Sequence, residues 1–388
     1  MVFKRKHIGI IYSPTENWIA GAYYVQNIVS ALTHYDSALL PIIHVICKDR
    51  ETFRDFANNT QYPLLRFHKS SFSTISLFLR KTARNITLIP FNTYKRSDYG
   101  LHKVLFIYPI NETAFLKTKE KALAWIPDLQ EEHLPRYFSM SDIQTRRDRY
   151  NALVKNNIPI VFSSNDARQD FLSKYPTAKA ELTFILPFAV FHPEFSHIDI
   201  NSLLNKFNIS SPYLFCPNQF WAHKNHLTLF KAFLSARRNG LKMQLVCSGK
   251  LLDSRDPEYC KTVLHFIEQN NLKQDILLLG FIDRAEQLCL MAHSYAVVQP
   301  SFFEGWSTTV EDVKRIGKFI FLSDIPVHRE QNPINVCYFN PTNPNDLTEK
   351  ILSINPTSNP YDYNIDIRRS ASCFLNIIDN FDNIFEKK

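Results

Sequence analysis

Short apolar runs recur along the whole chain, and each ends in a polar loop that leads into a helix-compatible stretch. In the first half the runs are His7–Ser13, Leu39–Cys47, Lys103–Pro109, Lys121–Pro127 and Ile158–Ser164. In the second half they are Ser211–Asn218, Met243–Gly249, Asp275–Phe281, Tyr295–Ser301 and Lys318–Asp324. Between them lie segments such as Ala22–Tyr35, whose composition suits a helix. Strands that alternate with helices pair in parallel, because each connection has to cross a face of the sheet, and the crossing helices then cover both faces. This pattern constrains the chain to an α/β architecture and predicts strands at all ten runs.

The 388 residues are more than one core ordinarily serves, and 45% of them are hydrophobic, enough to fill two. The segment 186–195, LPFAVFHPEF, holds two prolines at a change of charge balance. The expected division is therefore a Rossmann-like domain over 1–190, a second over 191–365, and a terminal helix over 366–388 that returns to the first domain. Open parallel sheets bind ligands outside the carboxyl ends of their strands, so two such domains facing each other predict a cleft.

Charge is uneven. Residues 1–190 carry 25 Lys+Arg against 16 Asp+Glu, and residues 191–388 carry 20 against 21. A basic first half suits an anionic partner. The basic residues are not interleaved with a nucleic-acid-binding motif, which argues against DNA or RNA. The stretch 71–103 mixes Phe, Leu and Ile with Lys81, Arg84, Lys95, Arg96 and Lys103 and suits a membrane surface; a plain solvated face explains it equally well. The longest apolar runs, such as Leu277–Ile282, fall far short of the ~18–20 residues that span a bilayer. The basic and then apolar start reads as a buried strand rather than a signal peptide. Seven scattered cysteines without a CxxC pair suit free thiols in a reducing cytosol. The expected location is cytoplasmic, at the inner face of the cytoplasmic membrane if the membrane reading holds.

The residues that carry chemistry gather at strand ends. In 301–324, SFFEGWSTTVEDVKRIGKFIFLSD, a strand ends at Pro300, a loop presents Glu304 and Gly305, and a helix opens near Ser307 or Thr308. Ser and Thr cap helices, and open amides at that N-terminus suit a phosphate. Val310, Val313 and Gly317 share a face that packs on the sheet. By helical phase Glu311 points away from that face, while Asp312 sits at its margin, within reach of a ligand. The same residues also suit a plain acidic N-cap turn. In 215–233, FCPNQFWAHKNHLTLFKAF, Lys224 stands just before a helix that Asn225 opens, an arrangement fit for a diphosphate or for a surface lysine beside an Asn cap. In 14–32 Gly21 opens a helix, where backbone can approach a phosphate closely. The stretch 124–139, AWIPDLQEEHLPRYFS, carries Asp128, Gln130, Glu131 and His133 on what reads as a loop before a helix.

The segment 301–324 resembles the E-x7-E motif of the large retaining GT-B glycosyltransferase family that takes sugar nucleotides, especially a subgroup worded EGWSTTVEE. The resemblance implies that Glu304 contacts the transferred sugar. Gly305 and Gly317 set a register that places the second carboxylate at Asp312, on the ribose. Lys224 matches the family's diphosphate lysine, whereas its usual arginine is replaced by Asn218. The stretch 124–139 is similar to W-x-P-D-F-Q-H-x-H-L-P, with Glu131 where a histidine is usual, so Glu131 or His133 is implied near the reacting centre. GFIDRAEQL (280–288), with Phe281, resembles the loop that meets the base, and Ser307 and Thr308 lie at the phosphate end of the motif helix. The likeness spans most of the chain and is most specific in 124–139, 215–233 and 275–331.

The family implies two Rossmann-like domains, a UDP- or GDP-linked sugar donor on the second, and a glycan or lipid-linked glycan acceptor on the first. It further implies retention of configuration, no metal or other cofactor, and a role in bacterial surface polysaccharide or lipopolysaccharide synthesis. No DxD motif stands at a strand end, and no histidines have ligand spacing. The alternatives are a GT-B sugar-nucleotide epimerase and, given Asn218, Glu131 and Asp312, a degenerate nucleotide-sugar binding protein.

Overall fold

A computed structural model describes residues 5–14, 19–36, 38–70, 103–110, 121–210 and 212–386. The basic stretch behind the membrane reading, 71–103, lies outside them except for Lys103. One unit comprises Met1–Pro127, Gln144–Ala189 and Asn364–Lys388, and the other Asp128–Ile143 and Val190–Tyr363. This partition departs from a single cut near residue 190, because Asp128–Ile143 packs with the second unit.

The first unit holds β1 (His7–Ile11), β2 (Ile42–Cys47), β3 (Leu65–Lys69), β4 (Ile107–Ile110), β5 (Ala122–Ile126), β6 (Ile160–Phe162) and β7 (Thr183–Ile185). They form one sheet in the order β3-β2-β1-β4-β5-β6-β7, every pair parallel. β2 starts one residue after Pro41, whose missing N–H cannot join a ladder. The helix Asn364–Glu386 belongs to this unit; Lys6 Nζ donates to the Ile378 carbonyl at 3.1 Å, and the Phe106 and Phe381 rings lie 4.6 Å apart.

The second unit holds β8 (Tyr213–Cys216), β9 (Gln244–Cys247), β10 (Ile276–Leu278), β11 (Ala296–Gln299), β12 (Ile320–Ser323) and β13 (Val336–Phe339), in the order β10-β9-β8-β11-β12-β13 and again all parallel. Strand residues alternate between two apolar layers. Leu214, Cys216, Leu245, Cys247, Ala296, Val298 and Phe321 enter one; Tyr213, Phe215, Val246, Val297, Ile320 and Leu322 enter the other. Both faces are covered, as a parallel sheet requires. Adjacent β8 and β11 are not consecutive in the chain, so the winding reverses between them and the loops beyond their carboxyl ends diverge. That switch point is where doubly wound sheets take ligands. Among the described residues no helix is long and apolar enough to cross a membrane.

Candidate functional site

The two loops at the switch point of the second sheet carry Lys224 and Glu304. Beyond β8 the chain makes a tight turn, Ala222–Lys224, and then enters the helix His226–Arg238. Asn225 stands at the N-cap position, where a side-chain cap is one of the two readings the sequence allows. It adopts φ 58°, and its buried side chain donates instead to the carbonyls of Pro300 and Pro341, at 2.9 Å each. The loop after β11 is pinned twice more: the Phe302 N–H donates to the His223 carbonyl at 2.8 Å, and the Ser323 hydroxyl to the Ser301 carbonyl at 2.7 Å. Each bond satisfies a backbone group that burial would otherwise leave unpaired.

So pinned, the loops bring Lys224 Nζ to 2.7 Å from Glu304 Oε1. Ser301 Oγ donates to the same oxygen at 2.6 Å and Gln299 Nε2 at 2.9 Å. Burial works to raise the Glu304 pKa, but Lys224, with His223 and His328 nearby, outweighs it and holds the carboxyl down at about 2. Glu304 is therefore an anion at any neutral pH and accepts hydrogen bonds only. His223 is driven down to about 3 by burial and then by Lys224, so it stays neutral. The result is a mostly enclosed cation–anion pair at a strand-end loop, placed to meet charge on a ligand.

Asn218, expected on the donor in place of an arginine, turns its amide inward. It is buried, and its Nδ2 donates to Gln299 Oε1 at 2.6 Å and toward Cys216 Sγ at 3.5 Å. Gln299 went unread in the sequence; the one signal was a polar residue closing the apolar strand Ala296–Gln299.

The motif helix is Thr308–Ile316, capped by Ser307 Oγ on the Val310 N–H and ended by Gly317 at φ 77°. The sequence predicts open amides at its N-terminus, but the Val310 N–H is taken by that cap, and the amide just ahead of the helix is taken as well. The Ser307 N–H donates to Gln331 Oε1 at 3.0 Å, because the end of the helix Pro326–Gln331 lies against it. Glu311 corrects the helical-phase reading: it is 1% exposed, not turned to solvent. Tyr363 OH donates to its Oε2 at 2.8 Å and Gln331 Nε2 to its Oε1 at 2.9 Å, so elements remote in sequence cover the face opposite the sheet.

Asp312 is equally buried. Its Oδ1 accepts from Arg284 Nη2 at 2.5 Å and from His192 Nε2 at 3.0 Å. Burial pushes its pKa up, and Arg284 and His192 more than reverse that. Arg284, within the segment 280–288, opens the helix Arg284–His293. It also donates to Gln287 Oε1 at 2.7 Å, and Gln287 Nε2 in turn donates to Ser248 Oγ at 3.0 Å. The second acid of the motif is thus linked through Arg284 and Gln287 to Ser248, just beyond β9. Phe281, in the same segment, is 64% exposed, with Lys250 Nζ 5.6 Å from its ring centre.

Of the 124–139 residues, Glu131 is fully buried in the short helix Gln130–His133, while His133 is exposed with its ring 5.1 Å from that of Phe303. Arg255, also missed in the sequence, ties this segment to the Lys224 loop. Its guanidinium lies 4.9 Å from the Trp221 ring centre and 5.0 Å from that of Phe138, and donates to Gln130 Oε1 at 2.8 Å. Gly21 lies in the first unit, buried in the first turn of the helix Ile19–Leu32; residues 15–18 before it are outside those described.

Residues 202–360 match the family described as glycosyl transferases group 1. Among solved structures, Anabaena HepE in complex with UDP and glucose superposes at a TM-score of 0.63 and 14% identity, covering 99% of this chain and 98% of that one. A glycosyltransferase from Rickettsia africae gives 0.62 and 16%, with 100% of both chains covered. The sucrose-phosphate synthase of Thermosynechococcus elongatus gives 0.58 and 14%, with 99% of each. No curated protein sequence matches the chain. The two parallel Rossmann-like sheets and these full-length superpositions make the fold GT-B.

Proposed function

We propose that this GT-B chain, whose residues 202–360 match the glycosyl transferases group 1 family, transfers a sugar from a nucleotide sugar to a glycan or lipid-linked glycan acceptor, with retention of configuration. The observation that carries the reading is the Lys224–Glu304 pair at the switch point of the second sheet. Lys224 meets the diphosphate and the charge that grows on it as the bond to the sugar breaks, so the reading needs no metal in that place. Glu304 stays ionised and positions the sugar. Asp312 and Arg284 meet the nucleoside. HepE in complex with UDP-glucose makes that the first donor to try, with GDP- and ADP-sugars beside it. Bacterial surface polysaccharide or lipopolysaccharide is the proposed product, made in the cytoplasm.

The test is a thermal-shift panel of UDP-, GDP- and ADP-sugars, since a ligand that binds the folded state raises the melting temperature. A flat response to all three, together with no hydrolysis, would overturn the proposal. Lys224→Ala is expected to weaken binding of the free nucleoside diphosphate by about 1.5–3 kcal/mol, the range of a lost charge-assisted bond. Unchanged affinity would make Lys224 a partner of Glu304 alone.

Two neighbouring acids should separate by readout. Asp312→Asn is expected to raise the Michaelis constant for donor more than Glu311→Gln does. Glu311→Gln should appear in the melting temperature, because it disturbs the buried bonds to Tyr363 and Gln331. The reverse ranking would put Glu311 at the donor.

The charge of residues 1–190 supports a membrane surface as the acceptor side. Flotation with vesicles rich in anionic lipid at low salt tests this, and a protein that stays with the soluble fraction removes the membrane part only.

A further inference from the structure

Gln299 ends an otherwise apolar strand, is fully buried, and uses both ends of its amide. Oε1 accepts from Asn218 Nδ2 at 2.6 Å; Nε2 donates to Glu304 Oε1 at 2.9 Å, with Ser301 Oγ at 3.1 Å and Ser307 Oγ at 3.4 Å around it. An amide has nearly the same shape either way round, so its neighbours fix its direction. Glu304 is ionised and can only accept, which turns the Gln299 NH2 toward it and the Gln299 oxygen toward Asn218. The Asn218 NH2 must then face Gln299. Donors therefore run one way, from Asn218 through Gln299 to Glu304.

All three donors to Glu304 end on Oε1: Lys224, Ser301 and Gln299. Among the described residues, Oε2 takes no hydrogen bond. Two of the donors are neutral, Gln299 at the end of β11 and Ser301 in a loop pinned by the Ser323 hydroxyl, while Lys224 is a cation on a flexible stem that a diphosphate would also attract.

Resting on the transferase reading above, we infer that Gln299, oriented by Asn218, is a positioning residue: it holds Glu304 by Oε1 and presents Oε2 to the sugar while Lys224 serves the diphosphate. Lys224 can then shift between two anions without releasing the carboxylate. The neutral amide adds no charge that would compete with Lys224 for the diphosphate.

Gln299→Met, close in size and without polar atoms, tests this with UDP-glucose as the probe. Expected is a fall in kcat for hydrolysis or transfer of about tenfold or more, with the UDP dissociation constant within about threefold of the unmodified protein. Gln299→Glu, which sets a second carboxylate against Glu304, should lower kcat further. A loss that only tracks the folded fraction, or a raised KM with unchanged kcat, would overturn the inference. If the unmodified protein neither binds nor turns over UDP-glucose, GDP-mannose or ADP-glucose, the transferase reading falls, and a crystal structure of Gln299→Met decides the positioning role. A Glu304 carboxylate displaced from its place supports the role, and one left unmoved removes it.

Discussion

Glu304→Gln should lower turnover by about two to three orders of magnitude while the protein stays folded. The size is that expected when a preorganised group is removed from a developing charge. The amide keeps the shape of the carboxyl and loses its charge, so it can no longer pair with Lys224. The variant should also respond differently to acid. In the native protein the carboxyl sits at about 2, below its ordinary 4.5, through Lys224 and its neighbours acting against burial. A depressed acid contributes its stability in full above the ordinary value and loses it as pH falls toward the native one. Between about pH 4.5 and 2 the native protein should therefore lose stability that Glu304→Gln does not have to lose. For the same reason Glu304 should give no inflection in a pH–rate profile near neutrality. Donor hydrolysis and melting curves across pH check both parts. Near-normal turnover by a folded variant removes Glu304 from the mechanism.

The limits of the sequence reading have physical causes. Ten strands announce themselves as apolar runs because most are covered by helices on both faces and by strands on both sides. The three that do not, β3, β7 and β13, are all sheet edges. β3 leaves its residues partly or fully exposed, β7 has only three residues, and β13 is half-buried over most of its length. An edge has fewer apolar neighbours, so its sequence carries less of the pattern. In the site, Glu304 and Lys224 stand out because each is a charged residue in a loop that leads from a strand to a helix. Their 2.7 Å pairing does not, because it depends on which strands are neighbours. Helical phase misplaces Glu311 since it assumes solvent opposite the sheet, where Gln331 and Tyr363 lie. Asn225 reads as a cap by residue type, yet its side chain is spent on two proline carbonyls.

The largest structural effect should come from a residue without a side chain. Gly249 follows β9 with φ 139°, and a Cβ built there would stand 2.2 Å from the Asn218 carbonyl oxygen, 2.6 Å from its carbon and 2.8 Å from the Cα of Gln219. All three are backbone atoms, so no rotamer change relieves the contact. The Gly249 N–H also donates to the Gly280 carbonyl at 2.7 Å, which opposes a retreat from the β8 loop. Gly249→Ala is therefore expected to cost about 2–4 kcal/mol of unfolding free energy, combining a strained backbone angle with overpacking. Gly240 serves as the control: its φ is 95°, and a Cβ there would meet nothing within 4 Å. Gly240→Ala meets angular strain alone, about 1–2 kcal/mol. Urea unfolding of both variants separates the terms. The surviving folded Gly249→Ala should also lose turnover, because the backbone that has to move is that of Asn218, whose amide orients Gln299 toward Glu304. A Gly249→Ala protein no less stable than Gly240→Ala would mean that the β8 and β9 loops do not meet as closely as they stand here.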